Sequence, residues 1–179
     1  ILEIDGKDVL FKIGCEAGTY IRKICDSIGR RLGIGAHMAE LIRTKAGPFS
    51  EDNWCSLHDL KDAYEFYKEG DEKELKKIIL PIERAVEHLG KVWIFDNAVD
   101  TVCHGADLSL PGISKLESDI KQGELIAVMT LKDELVCLGE ALKNSEEMID
   151  EEKGKAVKTK KVFMERSIYP KFVVKKNES

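Results

Sequence analysis

The sequence predicts an α+β chain in two parts, a mixed sheet-and-helix half followed by a small β-barrel. Three observations carry this expectation. Val9, Phe11, Ile13 and Cys15 alternate with Leu10, Lys12, Gly14 and Glu16, and helical spacing over Ile21, Ile24, Cys25, Ile28 and Leu32 follows. An acidic helical stretch occupies the middle. From Gly90 the texture changes to short β-rich runs with frequent turn residues, the pattern of a small barrel. The boundary is placed near residues 88–91, dividing 1–89 from 90–171 and leaving 172–179 as a basic tail.

Taken in order, Asp5-Gly6-Lys7-Asp8 supplies a turn that pairs Ile1–Ile4 with the strand over 9–15. Gly18-Thr19 opens a helix, and Gly33 and Gly35 end it. Residues 36–44 read as a second strand, closed by Gly47-Pro48. Ser56-Leu57-His58-Asp59 has capping-box spacing, with Asp where Glu or Gln is commoner. It opens a helix through Tyr67, stopped by Gly70. Another helical stretch runs from Glu72 to Leu80, Pro81 interrupts it, and a short helix reaches His88. Val92-Trp93-Ile94 is a strand and 97–103 a helix. His104-Gly105-Ala106 and Pro111-Gly112 are turns. Residues 124–131 and 134–142 form a hairpin around Lys132-Asp133, and 161–165 make one more strand.

Composition bounds the function. The chain has 179 residues, 43% of them hydrophobic and 34% charged, as in a soluble globular protein. No apolar run approaches the roughly 20 residues that cross a bilayer, and the start has no signal-peptide pattern. It lacks an initiator Met and opens in strand-like sequence, as expected of a piece of something longer. The five cysteines (15, 25, 55, 103, 137) and four histidines (37, 58, 88, 104) are scattered. That spacing argues for reduced thiols in a cytoplasm and predicts no metal site. Net charge is −5, yet it is uneven. Basic residues crowd the C-terminus from Lys153 to Lys176 and a second group spans Arg22 to Lys45, while acidic side chains concentrate over 59–74. Local phosphate-facing patches on an acidic protein fit this distribution, and so does a solvated tail beside ordinary helix surface.

Three constellations are candidates for chemistry. At Gly18-Thr19-Tyr20-Ile21-Arg22 a glycine frees the backbone at a strand-to-helix junction, and Arg22 could hold a carboxylate or a phosphate bidentately. The competing reading is a turn whose Tyr packs and whose Arg is solvated. Along Leu41–Phe49, Arg43 and Lys45 could meet phosphates while apolar neighbours face a cleft; an edge strand protected by charge is the alternative. His104-Gly105-Ala106 lets a nucleic-acid backbone approach closely, or is simply a loop into a strand. The phosphate-binding glycine loop, the dinucleotide glycine fingerprint, the zincin helix motif and the nucleophile elbow are all missing.

Together these segments resemble the dyskerin-type, TruB-related pseudouridine synthases of archaea. The likeness runs in order through Cys15–Arg22, Gly35–Leu41, Arg43-Thr44, Gly47-Pro48-Phe49, Leu57–Leu60, Asp62-Ala63-Tyr64, Ala98-Val99-Asp100, Cys103–Ala106 and Tyr169-Pro170-Lys171. Each motif is weak alone; the ordered set is specific. The resemblance implies the C-terminal part of a pseudouridine synthase mixed-sheet catalytic domain followed by a small β-barrel PUA domain. It implies isomerisation of uridine to pseudouridine in RNA, with an aspartate nucleophile, no cofactor and a base flipped into a pocket. By the same resemblance Tyr20 lines that pocket, Arg22 pairs with the catalytic aspartate, Leu41 supplies an apolar wall and Arg43 lies nearby. The PUA part would grip RNA through His104, Gly105, Lys160, Lys161 and Lys171. In RNA-guided members it holds the ACA end and lower stem of an H/ACA guide RNA, and in tRNA-directed members it serves tRNA.

Two departures matter. The family's aspartate sits in a Gly-x-Leu-Asp-Pro-like motif that is not in these residues, and Asp59 and Asp100 belong to other family segments. No catalytic residue is therefore assigned in this chain, which is expected to bind RNA without catalysing. Ile42 stands where many relatives carry a second arginine. The expected partners are H/ACA guide RNA, rRNA or tRNA, small proteins of the H/ACA particle and a missing N-terminal half of the catalytic domain, with no membrane. An exposed sheet edge would favour pairing with that complementary piece. Two rival readings are a non-catalytic PUA-type scaffold of a ribonucleoprotein, and an interaction protein whose acidic helices over 57–80 engage partners.

Overall fold

The computed structural model describes residues 1–170. The chain divides into two units, Ile1–Arg43 and the remainder from Thr44. In the first unit, β1 (Glu3–Asp5) and β2 (Asp8–Leu10) form an antiparallel hairpin with Ile4 opposite Val9. Gly6 takes the left-handed φ of 57° that its two-residue turn requires. The strand expected to reach Cys15 stops at Leu10. Residues 36–44 are likewise not a strand. Over 11–15 the alternating pattern is present, yet in neither place does a described residue offer a neighbouring strand to take the backbone N–H and C=O groups.

Helix α1 (Ile21–Leu32) ends at Gly33, which is left-handed with φ 73°. Arg30 and Arg31 sit in its last turn, where cations complement the helix dipole. The chain then folds back against Gly29. The Gly29 carbonyl accepts from the N–H groups of Ile34 (3.2 Å) and Gly35 (3.1 Å), and a Cβ on Gly29 would lie 2.1 Å from the Ala36 nitrogen.

The second unit opens with a small hairpin, β3 (Lys45–Ala46) and β4 (Phe49–Ser50), around Gly47-Pro48. Helix α2 (Leu57–Lys68) carries the expected reciprocal cap: Asp59 N–H donates to Ser56 Oγ (3.1 Å) and Ser56 N–H donates to Asp59 Oδ2 (2.8 Å). These bonds to Ser56 hold the Asp59 carboxyl below the usual carboxylate range. Helix α3 (Lys73–Ile78) follows, and beyond Pro81 a 3-10 turn covers Ile82–Val86.

The rest is one six-stranded sheet. Its strands are β5 (Lys91–Ile94), β6 (Leu108–Ser109), β7 (Ile113–Leu116), β8 (Leu125–Thr130), β9 (Leu135–Ala141) and β10 (Lys155–Val162). The order across the sheet is β6-β10-β9-β8-β5-β7, with β5 parallel to β8 and the other pairs antiparallel. The two outer strands, β6 and β7, are consecutive in the chain and joined only by a 3-10 turn at Leu110–Gly112. So short a link forces the sheet to curl until it nearly closes, which gives the predicted barrel. Helix α4 (Asp96–Cys103) follows β5, and α5 (Ser145–Asp150) links β9 to β10.

Strand β8 is buried on both sides. Ile126 and Val128 pack with Val92, Ile94, Val99, Val102, Val136 and Val157 in the main core. Ala127 and Met129 turn the other way and pack with Leu135 and Val86, flanked by Leu89 and Trp93. Each fully buried aliphatic side chain of this kind contributes about 1.5–3 kcal/mol relative to exposure. Residues 1–43 gain little of that, because Gly29 is the one buried residue there.

Further elements differ from expectation. The last strand spans Lys155–Val162, not 161–165, and α5 was not expected. Among the described residues no helix is long and apolar enough to cross a membrane.

Candidate nucleic-acid interface

The turn after α4 is built by a helix-ending motif. Gly105 N–H donates to the Val102 carbonyl (2.8 Å) and Ala106 N–H to the Thr101 carbonyl (3.3 Å), with Gly105 left-handed at φ 88°. This pairing closes the helix and favours glycine at that position. A Cβ added to Gly105 would meet nothing within 4 Å, so the space over the turn is open. His104, just before it, places its ring Nδ1 2.7 Å from the Asp100 carbonyl oxygen.

Strand β10 is tied to this turn through Thr159. Its hydroxyl donates to the Ala106 carbonyl (2.8 Å) and its N–H to Asp107 Oδ1 (3.2 Å). Lys155 Nζ lies 2.8 Å from Asp107 Oδ2, and this hydrogen bond is the chief reason the Asp107 carboxyl sits below its usual range. Thr159 faces Gly139 on β9, while the next registered pair is Lys161 with Leu138. The extra residue, Lys160, is a β-bulge, which re-aims side chains at a strand edge. Gly139 is required here, because a Cβ would stand 2.3 Å from Val157 Cγ1 and 2.9 Å from the Lys158 carbonyl oxygen.

The structure therefore ties the turn that carries His104 and Gly105, through Thr159, to the strand that carries Lys160 and Lys161. Lys160 is partly neutralised by Glu140 (2.7 Å), whose carboxyl is held low by that ammonium. Lys161 Nζ sits 5.6 Å from the Phe163 ring centroid, and Lys158 is exposed on the same strand. Lys171 lies outside the described residues. Sequence reasoning missed Thr159, Lys158 and Asp100 as parts of this region. Asp100, 7% exposed, accepts the Ser167 N–H on Oδ1 (3.2 Å) and approaches His104 Nδ1 with Oδ2 (3.6 Å).

The second expected cluster lies within residues 1–43. Tyr20 caps α1 in extended conformation (φ −92°, ψ 101°) without a side-chain cap bond, two residues after left-handed Gly18. Its ring is 60% exposed and lies beneath two cations, Arg22 Cζ at 5.6 Å and Lys23 Nζ at 5.5 Å from the centroid. Such stacking holds a guanidinium at a defined place while leaving its N–H groups available. A groove of about 410 Å³ runs from Tyr20 past Ile24 and Ile28 to Arg31. Leu41 and Arg43 stand exposed in the irregular stretch before β3, and no cation–π contact or ion pair among the described residues joins them to Tyr20 or Arg22.

Two domain families match the chain in succession. Residues 22–87 match the tRNA pseudouridylate synthase B C-terminal domain family, and residues 90–163 match the PUA domain family. The chain is 58% identical over 181 residues to the probable tRNA pseudouridine synthase B of Pyrococcus furiosus, covering 100% of this chain and 53% of that protein. The chain carries the tRNA pseudouridylate synthase B C-terminal domain followed by a PUA domain. The Methanopyrus kandleri protein of the same description is 55% identical over 172 residues, 96% of this chain and 51% of that one. The chain thus spans about half the length of the curated synthases it matches. Among solved structures, the archaeal box H/ACA sRNP Nop10–Cbf5 complex matches with a TM-score of 0.90 and 58% identity, over 94% of this chain and 55% of that one. An H/ACA RNP bound to a substrate RNA containing 2'-deoxyuridine matches with a TM-score of 0.89 and 58% identity, over 96% of this chain and 55% of that one.

Proposed function

We propose that this chain is the RNA-gripping and pocket-lining portion of a pseudouridine synthase that isomerises uridine in H/ACA-guided rRNA, in tRNA, or in both. The observation that carries the proposal is the open turn at Gly105, tied by Thr159 to the strand bearing Lys158, Lys160 and Lys161. An open glycine turn admits a sugar-phosphate backbone, and the adjacent ammonium groups meet its phosphates. In this reading residues 1–89 complete a catalytic domain and residues 90–171 act as the PUA domain, with 172–179 a basic tail.

Tyr20 packs against the flipped uracil and Arg22 pairs with the nucleophilic aspartate. The stacking of the Arg22 guanidinium over the Tyr20 ring supports both roles, because it sets the position of a charge beside an aromatic wall. Leu41 supplies the apolar side of the pocket and Arg43 a contact beside it. No residue of this chain is the nucleophile. The H/ACA context of the matched structures extends the proposal to small partner proteins such as the Nop10 and Gar1 of those complexes.

The test is binding of the chain to two labelled hairpins at several salt concentrations, one ending in ACA and one with that trinucleotide scrambled. The expected result is tighter binding that depends on ACA, with a salt slope set by the phosphates neutralised. Equal, weak and steeply salt-dependent binding to both would overturn the guided reading in favour of tRNA-directed or scaffold roles. Pseudouridine formed by these 179 residues alone would overturn the assignment of roles.

A further inference from the structure

The lysines stand on the strand that Thr159 ties to the turn after His104, but the chemistry of the two differs. The Asp100 carbonyl oxygen lies 2.7 Å from His104 Nδ1 and can only accept. The proton of a neutral His104 ring must therefore sit on Nδ1, which leaves Nε2 bare as an acceptor. Two further contacts hold this arrangement. Asp100 Oδ2 stands 3.6 Å from the same Nδ1, and Oδ1 is engaged by the Ser167 N–H at 3.2 Å. Asp100 is itself buried, so the oxygen facing His104 is fixed by the fold. The His104 side chain is 45% exposed, with the open turn at Gly105 beside it.

A bare ring nitrogen cannot bond a phosphate, whose oxygens are acceptors as well. It matches a hydrogen-bond donor; RNA carries these as N–H groups on its base edges and as ribose 2′-hydroxyls, and only the base edges distinguish one nucleotide from another. We infer that His104 is a base-reading residue, its Nε2 accepting from the exocyclic amine of an adenine or cytosine, and that Asp100 is the positioning residue that fixes its tautomer. The lysines of β10 supply affinity without sequence information, and His104 supplies discrimination. This inference rests on the RNA-binding reading above.

The experiment uses the chain as it stands, with His104→Ala and Lys161→Ala variants. Binding is measured at several salt concentrations to the ACA hairpin and to three versions lacking one exocyclic amine each. In these, purine riboside replaces either adenosine, or pyrimidin-2-one riboside replaces the cytidine. The expected result is that one amine-free hairpin binds the unaltered chain roughly fivefold more weakly, the effect of one lost hydrogen bond. His104→Ala then binds all four alike with an unchanged salt slope. Lys161→Ala keeps the discrimination and reduces the slope by about one contact. Nitrogen-15 NMR of the free chain reads the ring directly, with Nδ1 protonated and Nε2 bare as the expected state.

Discrimination that persists in His104→Ala, a salt slope that falls with His104 as it does with Lys161, or the opposite tautomer would each overturn the inference. An unaltered chain that binds RNA but ignores every amine would overturn this inference alone. One that binds no RNA would overturn the RNA-binding reading with it.

Discussion

At Gly139 and Gly105 the same residue type is required for opposite reasons. A methyl group at 139 meets Val157 Cγ1 at 2.3 Å and backbone at 2.9 Å, so β9 and β10 must separate. Gly139→Ala is expected to cost about 1–3 kcal/mol, the usual range for overpacking. At 105 the added methyl meets open space, and the cost comes from the left-handed backbone, about 1–2 kcal/mol. Denaturant midpoints separate the two when each is combined with Val157→Ala. Part of the Gly139→Ala loss is expected to be recovered against the Val157→Ala background, and none of the Gly105→Ala loss. Recovery at both positions would sink the distinction. Gly105 was legible in the sequence because a glycine between a helix and a strand announces a turn. Thr159 was not, since its value lies in a bond to Ala106, 53 residues away. Nor could the sequence reveal that Lys160 pairs with Glu140, a contact that depends on cross-strand register.

Elements were legible wherever their signal is local. Helix α1 with its Gly33 stop and α2 with its Ser56–Asp59 box needed only neighbours within one turn. Strand β10 was misplaced because irregular pairings around Ala156 and Lys160 break its alternation. Helix α5 had a readable start, Asn144 followed three residues later by Glu147, but six residues give no helical period to recognise. The failed strand over 11–15 is the reverse case, an alternating pattern with no described partner. The segment leading to Tyr169 shows how a tertiary bond fastens one element to another. The Tyr169 hydroxyl donates to Glu134 Oε2 at 2.6 Å beside the β8–β9 turn, and the Thr130 hydroxyl donates to the same oxygen at 3.0 Å. These two bonds, Tyr169 first, hold the Glu134 carboxyl below its usual range. A carboxyl lowered by folding contributes stability that is complete above its unfolded value and lost as pH falls through its folded value. The stability difference between the unaltered chain and Tyr169→Phe is therefore expected to shrink on acidification through the carboxylate range. Urea midpoints across that range check this, and a difference independent of pH would refute it.

On the scale of the whole chain, apolar material is spent unevenly. Residues 1–43 leave Ile1, Leu2, Ile4, Leu32, Ile34 and Leu41 exposed, whereas the sheet from β5 to β10 buries two cores, one on each face of β8. The second core is the more telling. Its Val86, with Leu89 beside it, comes from before Gly90, and the Leu135 N–H donates to Glu83 Oε1 at 3.0 Å. Residues 82–89 thus form part of the sheet's outer cover. A fragment of residues 82–170 is expected to fold cooperatively, and one of residues 90–170 to unfold at lower temperature and bind a hydrophobic dye. Equal melting would show that the cover contributes nothing. The two family matches meet at residues 87 and 90, yet the fold does not part there. A gene rearrangement that carried this barrel to another protein would have to take the preceding turn along, or its new host would have to grow a substitute. The ancestry of the piece and its mechanics are cut at different places.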